Sequence, residues 1–215
     1  MPDFYYAMVS PPCRAALLTA KAVGVNLNLK TIDLSKEEHK KPEFLAINPQ
    51  HTVPTLVDGD LTMWESRAIC TYLASQYGKS DSFYPSNPKT RARVEHMLYF
   101  DMGTLYKRFG EYAYPVVFRG EQPNPEKLES LHEALGWLND ALAGHDWAVG
   151  DSFTVADCVL AASVSTFEAG GIDLGRHSRV ATWLANCKTS LPGYDEANAP
   201  GAAIFGSFAK PALSK

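Results

Sequence analysis

Strand-like patterns in this chain stop at Trp64, and everything beyond reads as helix and loop. That asymmetry excludes one sheet running through the whole chain and predicts two units of different class. Asp3 to Met8 carries Phe4, Tyr5 and Tyr6 in a short apolar run. The Ser10-Pro11-Pro12 turn then opens a stretch with Leu17, Leu18, Ala20, Lys21 and Val23 at helical spacing. Gly24 stands where a left-handed cap closes a helix, and Leu27, Leu29, Thr31 and Asp33 alternate as the side chains of a second strand. After a mixed region ending at Asn48-Pro49, Thr55-Leu56-Val57 meets Leu61-Thr62-Met63-Trp64 across Asp58-Gly59-Asp60, and Asp-Gly is a strong hairpin signal. A helix from Ser66 to Tyr77 completes the unit.

A βαβ unit, a hairpin and a helix follow one another in the thioredoxin-like order, which predicts an α/β domain over residues 1–78. Residues 79–87 are polar and punctuated by proline, as a linker would be. Residues 88–215 are expected to be all-α. There Val94, Met97, Leu98, Asp101, Met102, Leu105 and Phe109 recur at three- and four-residue steps, which predicts one long amphipathic helix with an acidic interruption. A second helix fits Pro125 to Leu142. Thr154-Val155-Ala156-Asp157 opens a third, expected at the centre of its domain, and Thr154 and Asp157 are assigned to folding rather than catalysis.

Composition narrows the partners. A 46% hydrophobic share with 20% charged residues suits a soluble globular chain, not a disordered one. Twenty Lys and Arg against twenty-four Asp and Glu leave a net charge of −4, with no dense basic run, so no nucleic-acid partner is expected. No apolar run approaches the roughly 18–20 residues of a membrane span. The Met1-Pro2-Asp3-Phe4 start lacks the basic and apolar regions of a signal peptide, and a cytoplasmic location is expected. Cys13, Cys70, Cys158 and Cys187 are dispersed with no Cys-x-x-Cys pair, so neither a metal site nor a disulfide framework is indicated, and buried thiols are expected.

Three ordered motifs carry a family resemblance. They are Phe4-Tyr5-Tyr6 followed by Ser10-Pro11-Pro12-Cys13-Arg14, the run Lys41-Pro42-Glu43-Phe44-Leu45 through Asn48-Pro49-Gln50-His51-Thr52-Val53-Pro54-Thr55-Leu56, and Trp64-Glu65-Ser66-Arg67-Ala68-Ile69. With Thr154-Val155-Ala156-Asp157 in the helical half, the chain resembles the cytosolic glutathione transferases, most closely the insect delta-like group, over nearly its whole length. The resemblance implies the glutathione transferase fold: a thioredoxin-like N-terminal domain, then an all-α C-terminal domain that contributes a hydrophobic substrate site. It also implies a homodimer with one site per subunit, and glutathione as co-substrate without a permanently bound cofactor. The implied activity is conjugation of the glutathione thiolate to small apolar electrophiles in detoxification. A non-catalytic ligand-binding or interaction protein of the same fold is the alternative, because folds outlive activities. A thiol-disulfide reductase is a third reading, since Ser10-x-x-Cys13 occupies the place of a redox Cys-x-x-Cys.

Glutathione has two carboxylates, an ammonium group and a thiol, so its site needs cations, a peptide-pairing edge and a carboxylate. The resemblance makes Val53-Pro54 a cis peptide bond that turns the preceding backbone outward to pair with the cysteinyl part; alone, an X–Pro bond reads as trans. Ser66 and the N-terminal amides after it suit a carboxylate, Glu65 suits the ammonium, and Arg67 supplies positive potential or braces the site, against the plainer reading of a helix cap with a surface ion pair. His39, Gln50 and His51 match positions holding the glycyl end, or are exposed loop residues. Ser10 is the implied catalytic residue, donating a hydrogen bond that favours the thiolate; its other role is to cap the helix.

Ala7-Met8-Val9 stands where the delta-like group often has Leu-Pro-Gly. Tyr6 therefore competes with Ser10, since tyrosine-type members carry a phenol seven residues before a cysteine, as Tyr6 lies before Cys13. Between Tyr99 and Phe118, twenty residues hold seven aromatics, about three times the chain's 11% average. By resemblance, Tyr106, Phe109, Tyr112, Tyr114, Phe118 and Phe205 are candidates for the hydrophobic substrate site.

Overall fold

Strand β1 (Asp3–Tyr6) buries Phe4 and Tyr6 and turns Asp3 and Tyr5 toward the other face, the period-two pattern of its sequence. The computed structural model describes residues 1–215. Helix α1 (Pro11–Val23) starts with two prolines, where helical N–H groups have no partner to lose, and ends at Gly24 with φ of 75°. It crosses to β2 (Asn28–Thr31), parallel to β1 with Phe4 opposite Leu29. A short turn of helix, α2 (Pro42–Leu45), precedes the hairpin of β3 (Thr55–Asp58) and β4 (Leu61–Trp64). The sheet order is β2-β1-β3-β4, with β3 antiparallel to both neighbours. Asp58 pairs with Leu61, so the hairpin loop is only Gly59-Asp60, and Gly59 takes φ of 63°.

Helix α3 (Ser66–Tyr77) covers one face of the sheet with α1. The Asp58 carboxylate accepts hydrogen bonds from the hydroxyls of Tyr72, at 2.8 Å, and Tyr77, which ties the hairpin to α3.

Local chemistry shortens two of the expected strands. β1 stops at Tyr6, because the Ser10 N–H donates to the Ala7 carbonyl at 3.0 Å and folds Met8 into a turn. β2 stops at Thr31, because Asp33 caps a following 3-10 turn by accepting from the N–H groups of Ser35 and Lys36. Leu29 is exposed since β2 is an edge strand.

The second half contains α4 (Pro88–Phe100), α5 (Tyr106–Arg119), α6 (Pro125–Ala141), α7 (Val155–Ala169), α8 (Ser178–Ser190), α9 (Tyr194–Ala197) and α10 (Ala199–Leu213). The single long helix expected through Val94 and Phe109 is two helices, separated by a π-helical turn at Asp101–Leu105. The acidic interruption in the apolar stripe marks that turn: Asp101 is fully buried and pairs with Arg67 of α3.

Every residue from Val155 to Phe167 is buried, so α7 is enclosed on all sides and forms the centre of the helical half. α1 packs against both α3 and α7, and one hydrophobic cluster runs without a break from Phe4 and Leu56 to Leu160 and Trp183. No helix is long and apolar enough to cross a membrane, and no three His, Cys, Asp or Glu side chains are placed to hold a metal ion.

Candidate active site

Ser10 occupies the N-cap position of α1 with extended backbone angles, and its side chain makes no capping hydrogen bond. The capping role open to it from sequence is thus unfilled. Its carbonyl accepts from the Arg14 N–H at 3.1 Å, which anchors the residue while leaving the hydroxyl half-exposed. Pro11 and Pro12 have no N–H, so this helix start offers an anion few backbone donors. Tyr6 is buried on the core face of β1 and stacks on Phe4 at 5.9 Å between ring centroids. Cys13 is fully buried, and that burial pushes its thiol up to about 11, so it carries no thiolate at neutral pH.

The Val53-Pro54 bond is cis. Neither the N–H nor the carbonyl of Val53 has a partner among the hydrogen bonds of the loops, which leaves a free backbone edge. The loop before it is latched by Asn48, a fully buried residue that sequence reasoning left out of the site. Asn48 Nδ2 donates to the Thr52 carbonyl and to Thr55 Oγ1 at 3.0 and 2.9 Å, while Oδ1 accepts from the Gln50 N–H at 2.9 Å. The available signal was Asn-Pro, a turn dipeptide whose side chain bonds nearby backbone. Gln50 Oε1 accepts from the Trp64 indole N–H at 2.9 Å, so its amide N–H groups remain free to donate outward. His51 is exposed with φ of 45°, and its ring lies 6.2 Å from that of His39. Burial, then Lys40 and His51, hold His39 below the usual histidine range, and its Nδ1 is buried without a partner.

Glu65 adopts φ of 79°, a backbone region that a residue with a Cβ rarely occupies. It leads directly into α3, whose first N–H groups have no side-chain cap. Ser66 Oγ accepts from Arg67 Nη1 at 2.8 Å, so its own hydrogen is free for a ligand. Arg67 is held against Asp101 and lies 5.5 Å from the Tyr106 ring centroid. Burial works against the Arg67 charge, but the carboxylate beside it prevails and keeps it above the usual arginine value. The structure therefore gathers Glu65, Ser66 and Arg67 at one helix start, and Gln50, His51 and His39 around one loop. Asp101, which secures Arg67, was legible only as a charge on an apolar stripe.

The six aromatic candidates divide. Phe109 is fully buried and stacks on Phe167 at 4.3 Å; Tyr112 and Phe205 are also core residues, so these three offer no open face to a ligand. The helical period points Phe109, Tyr112 and Val116 inward together. Tyr106 and Tyr114 are half-buried and hydrogen-bond each other through their hydroxyls, and they border an open groove of about 660 Å³ whose floor at Gly110 and Pro115 is rimmed by the charged Lys107, Glu111, Arg119 and Lys127. Phe118 is exposed and lies 5.5 Å from Tyr114 and 6.4 Å from Phe208, an exposed residue of α10 that the sequence reading did not single out. Ile204 and Phe208, both exposed and four residues apart on α10, were its signal.

Two family models match the chain: the glutathione S-transferase N-terminal domain over residues 1–75 and the glutathione S-transferase C-terminal domain over residues 121–186. A solved structure of a delta-class glutathione transferase from Nilaparvata lugens is 48% identical, covers 98% of this chain and 99% of its own, and superposes with a TM-score of 0.96. A glutathione transferase from Bombyx mori is 44% identical over 96% of this chain and 97% of its own, with a TM-score of 0.93. A glutathione transferase homolog from Drosophila mojavensis, solved with bound glutathione, is 32% identical over 98% of this chain and 97% of its own, with a TM-score of 0.92. Fold, ordered motifs and these likenesses agree: the chain belongs to the glutathione S-transferase family and, within it, resembles the insect delta class.

Proposed function

We propose that this glutathione transferase binds glutathione across the loop at Gln50, His51 and Val53-Pro54 and the start of α3 at Glu65 and Ser66, and that Ser10 favours its thiolate for attack on small apolar electrophiles. The observation that carries the reading is the Ser10 hydroxyl, placed at the start of α1 and free of any capping bond. In this scheme residues 1–78 hold glutathione and residues 88–215 contribute the acceptor site, where Tyr106, Tyr114 and Phe118 meet the second substrate and Phe109, Tyr112 and Phe205 back them from the core. The exposed His51 ring is a donor for the glycyl carboxylate with the His39 ring beside it, and Arg67 braces Ser66. Glutathione in the Drosophila mojavensis relative supports the same co-substrate here.

Incubation with glutathione and a chloronitroaromatic acceptor is expected to give the thioether and chloride. Disulfide reduction measured in parallel should stay at background, because serine stands where a redox thiol would be. Glutathione binding without conjugation would restore the non-catalytic reading.

Detoxification in the cytoplasm and a homodimer complete the proposal. The dimer is supported by exposed Tyr99 and Met102, which line a depression of about 430 Å³ between α3 and α4 with Ala68, Thr71 and Leu98. Mass measurement in dilute solution should give twice the 23.6 kDa chain; a single 23.6 kDa species would sink the dimer.

A further inference from the structure

Arg14 is a fully buried cation with no anion beside it. Its guanidinium donates to Asn198 Oδ1 and Thr166 Oγ1, both neutral, and its Nε has no partner. The titratable groups that bear on it are Tyr106 and Tyr114 from α5, Tyr194 from α9 and Cys13 on its own helix, none of them ionised at neutral pH. On the helices packed against α1, Arg67 of α3 pairs with Asp101, Glu168 of α7 with Lys188, and Glu196 of α9 with Lys21, while Asp157 of α7 is held by the Ala148, Thr154 and Trp183 N–H groups, and Asp195 of α9 and Lys210 of α10 stand exposed to solvent. Burial lowers the guanidinium to about 10, which still leaves it charged at neutral pH. A buried charge is normally paired, because nothing else offsets its lost hydration.

Its position points to the missing partner. Arg14 stands four residues after Ser10, on the same side of α1, and helical side chains lean toward the N-terminus. A methyl group placed on Gly201 of α10 would lie 2.0 Å from the Met8 carbonyl oxygen and 2.5 Å from Arg14 Cδ. The arginine stem therefore runs directly beneath the loop that presents Ser10. With Pro11 and Pro12 removing two N–H donors, that loop needs another source of positive potential to hold an anion.

We propose that Arg14 acts through its field as the counter-charge of the glutathione thiolate formed at Ser10. This rests on the reading that the sulfur is activated at Ser10. The step assisted is loss of the thiol proton to solvent, with the electron pair staying on sulfur. At an effective dielectric of about 20, a unit charge within about 10 Å of a titrating group moves its pKa by about one unit.

Asn198→Asp tests this with little change of volume. It pairs the guanidinium with a carboxylate, and Ser165 Oγ, which now accepts from Asn198 Nδ2 at 2.9 Å, can donate instead. Titration of bound glutathione by its ultraviolet thiolate absorbance should show the pKa raised by about one unit. Conjugation at neutral pH should slow about tenfold and recover at high pH, with glutathione affinity within about twofold of the parent. Asn198→Ala, which loosens the brace without adding charge, should titrate like the parent.

A parental titration in Asn198→Asp overturns the proposal, and so does an equal shift in Asn198→Ala, which would make Arg14 a brace only. Should Asn198→Asp fail to fold, Arg14→Met must give the same upward shift, and a parental titration there is equally fatal. A parent enzyme that binds glutathione without lowering its thiol pKa would instead refute activation at Ser10 itself.

Discussion

Ser10→Ala should raise the pKa of glutathione bound to this enzyme by about one to two units and slow conjugation at neutral pH by about 10- to 100-fold, the worth of one hydrogen bond to a charged acceptor. The sign follows from which form is stabilised. A donor to sulfur lowers the thiol pKa, so its removal shifts the rising limb of the pH–rate profile to higher pH, and activity returns as pH passes the new value. Affinity for glutathione should change little, because Gln50, His51, Val53, Glu65 and Ser66 hold the peptide by its charged ends and backbone, whereas the sulfur contact matters to the activated state. Tyr6→Phe should be mild, within about threefold in rate, since the Tyr6 ring is buried against Phe4. The two variants each delete one hydroxyl and leave the volume intact. If Tyr6→Phe abolishes thiolate formation while Ser10→Ala titrates like the parent, the serine assignment is wrong.

Asp157→Ala should cost about 3–5 kcal/mol of stability, lower the melting temperature by about 10 °C or prevent refolding, and leave the KM for glutathione near the parent value in whatever folds. Asp157 is fully buried and its two oxygens serve several donors: Oδ2 accepts from the Thr154 N–H at 2.8 Å, and Oδ1 from the Ala148 N–H at 2.8 Å and the Trp183 indole at 2.9 Å. The alanine variant strands all three in a dry interior. The capping box at the start of α7 is therefore also a knot joining α7, α8 and the loop after α6. Thr154→Ala removes the cap to the Ala156 N–H, at 3.3 Å, and the hydroxyl's donation to Asp157 Oδ2, at 3.2 Å, but leaves the carboxylate's three N–H donors paired, and should cost about 1 kcal/mol. A large loss of glutathione affinity in Asp157→Ala with unchanged melting would refute the structural assignment.

What could be read from the chain was read from short-range patterns. Period-two burial in β1, the proline start and glycine end of α1, the Asp-Gly hairpin, the bounds of α3 and the Thr154-Asp157 box each join residues a few positions apart. The resemblance supplied more than the pattern at Val53-Pro54, where the bond is cis and a lone proline reads as trans. Patterns misled where a local side chain overrode them. Asp33 ended β2 by capping the next turn, and Asp101 broke a helical stripe into two helices because its partner lies in α3.

The aromatic cluster shows the other limit. Composition located seven rings in one segment, but which of them face a ligand depends on where α7 and α10 press against α5. Phe109 and Tyr112 turn into the core, while Tyr114 stays half-buried and Phe118, beside Phe208 of α10, stays exposed. Arg14 marks the same limit more sharply: its partners Thr166 and Asn198 lie 152 and 184 residues away, and neither carries a charge that would pair them by inspection. Local order in this protein follows from periodicity, caps and turns, because those forces act between neighbours along the chain. The ring faces left open, the bracing of Arg67 and the isolation of the Arg14 charge follow from packing and desolvation, which depend on what is brought alongside and are defined only once the two halves have closed on each other.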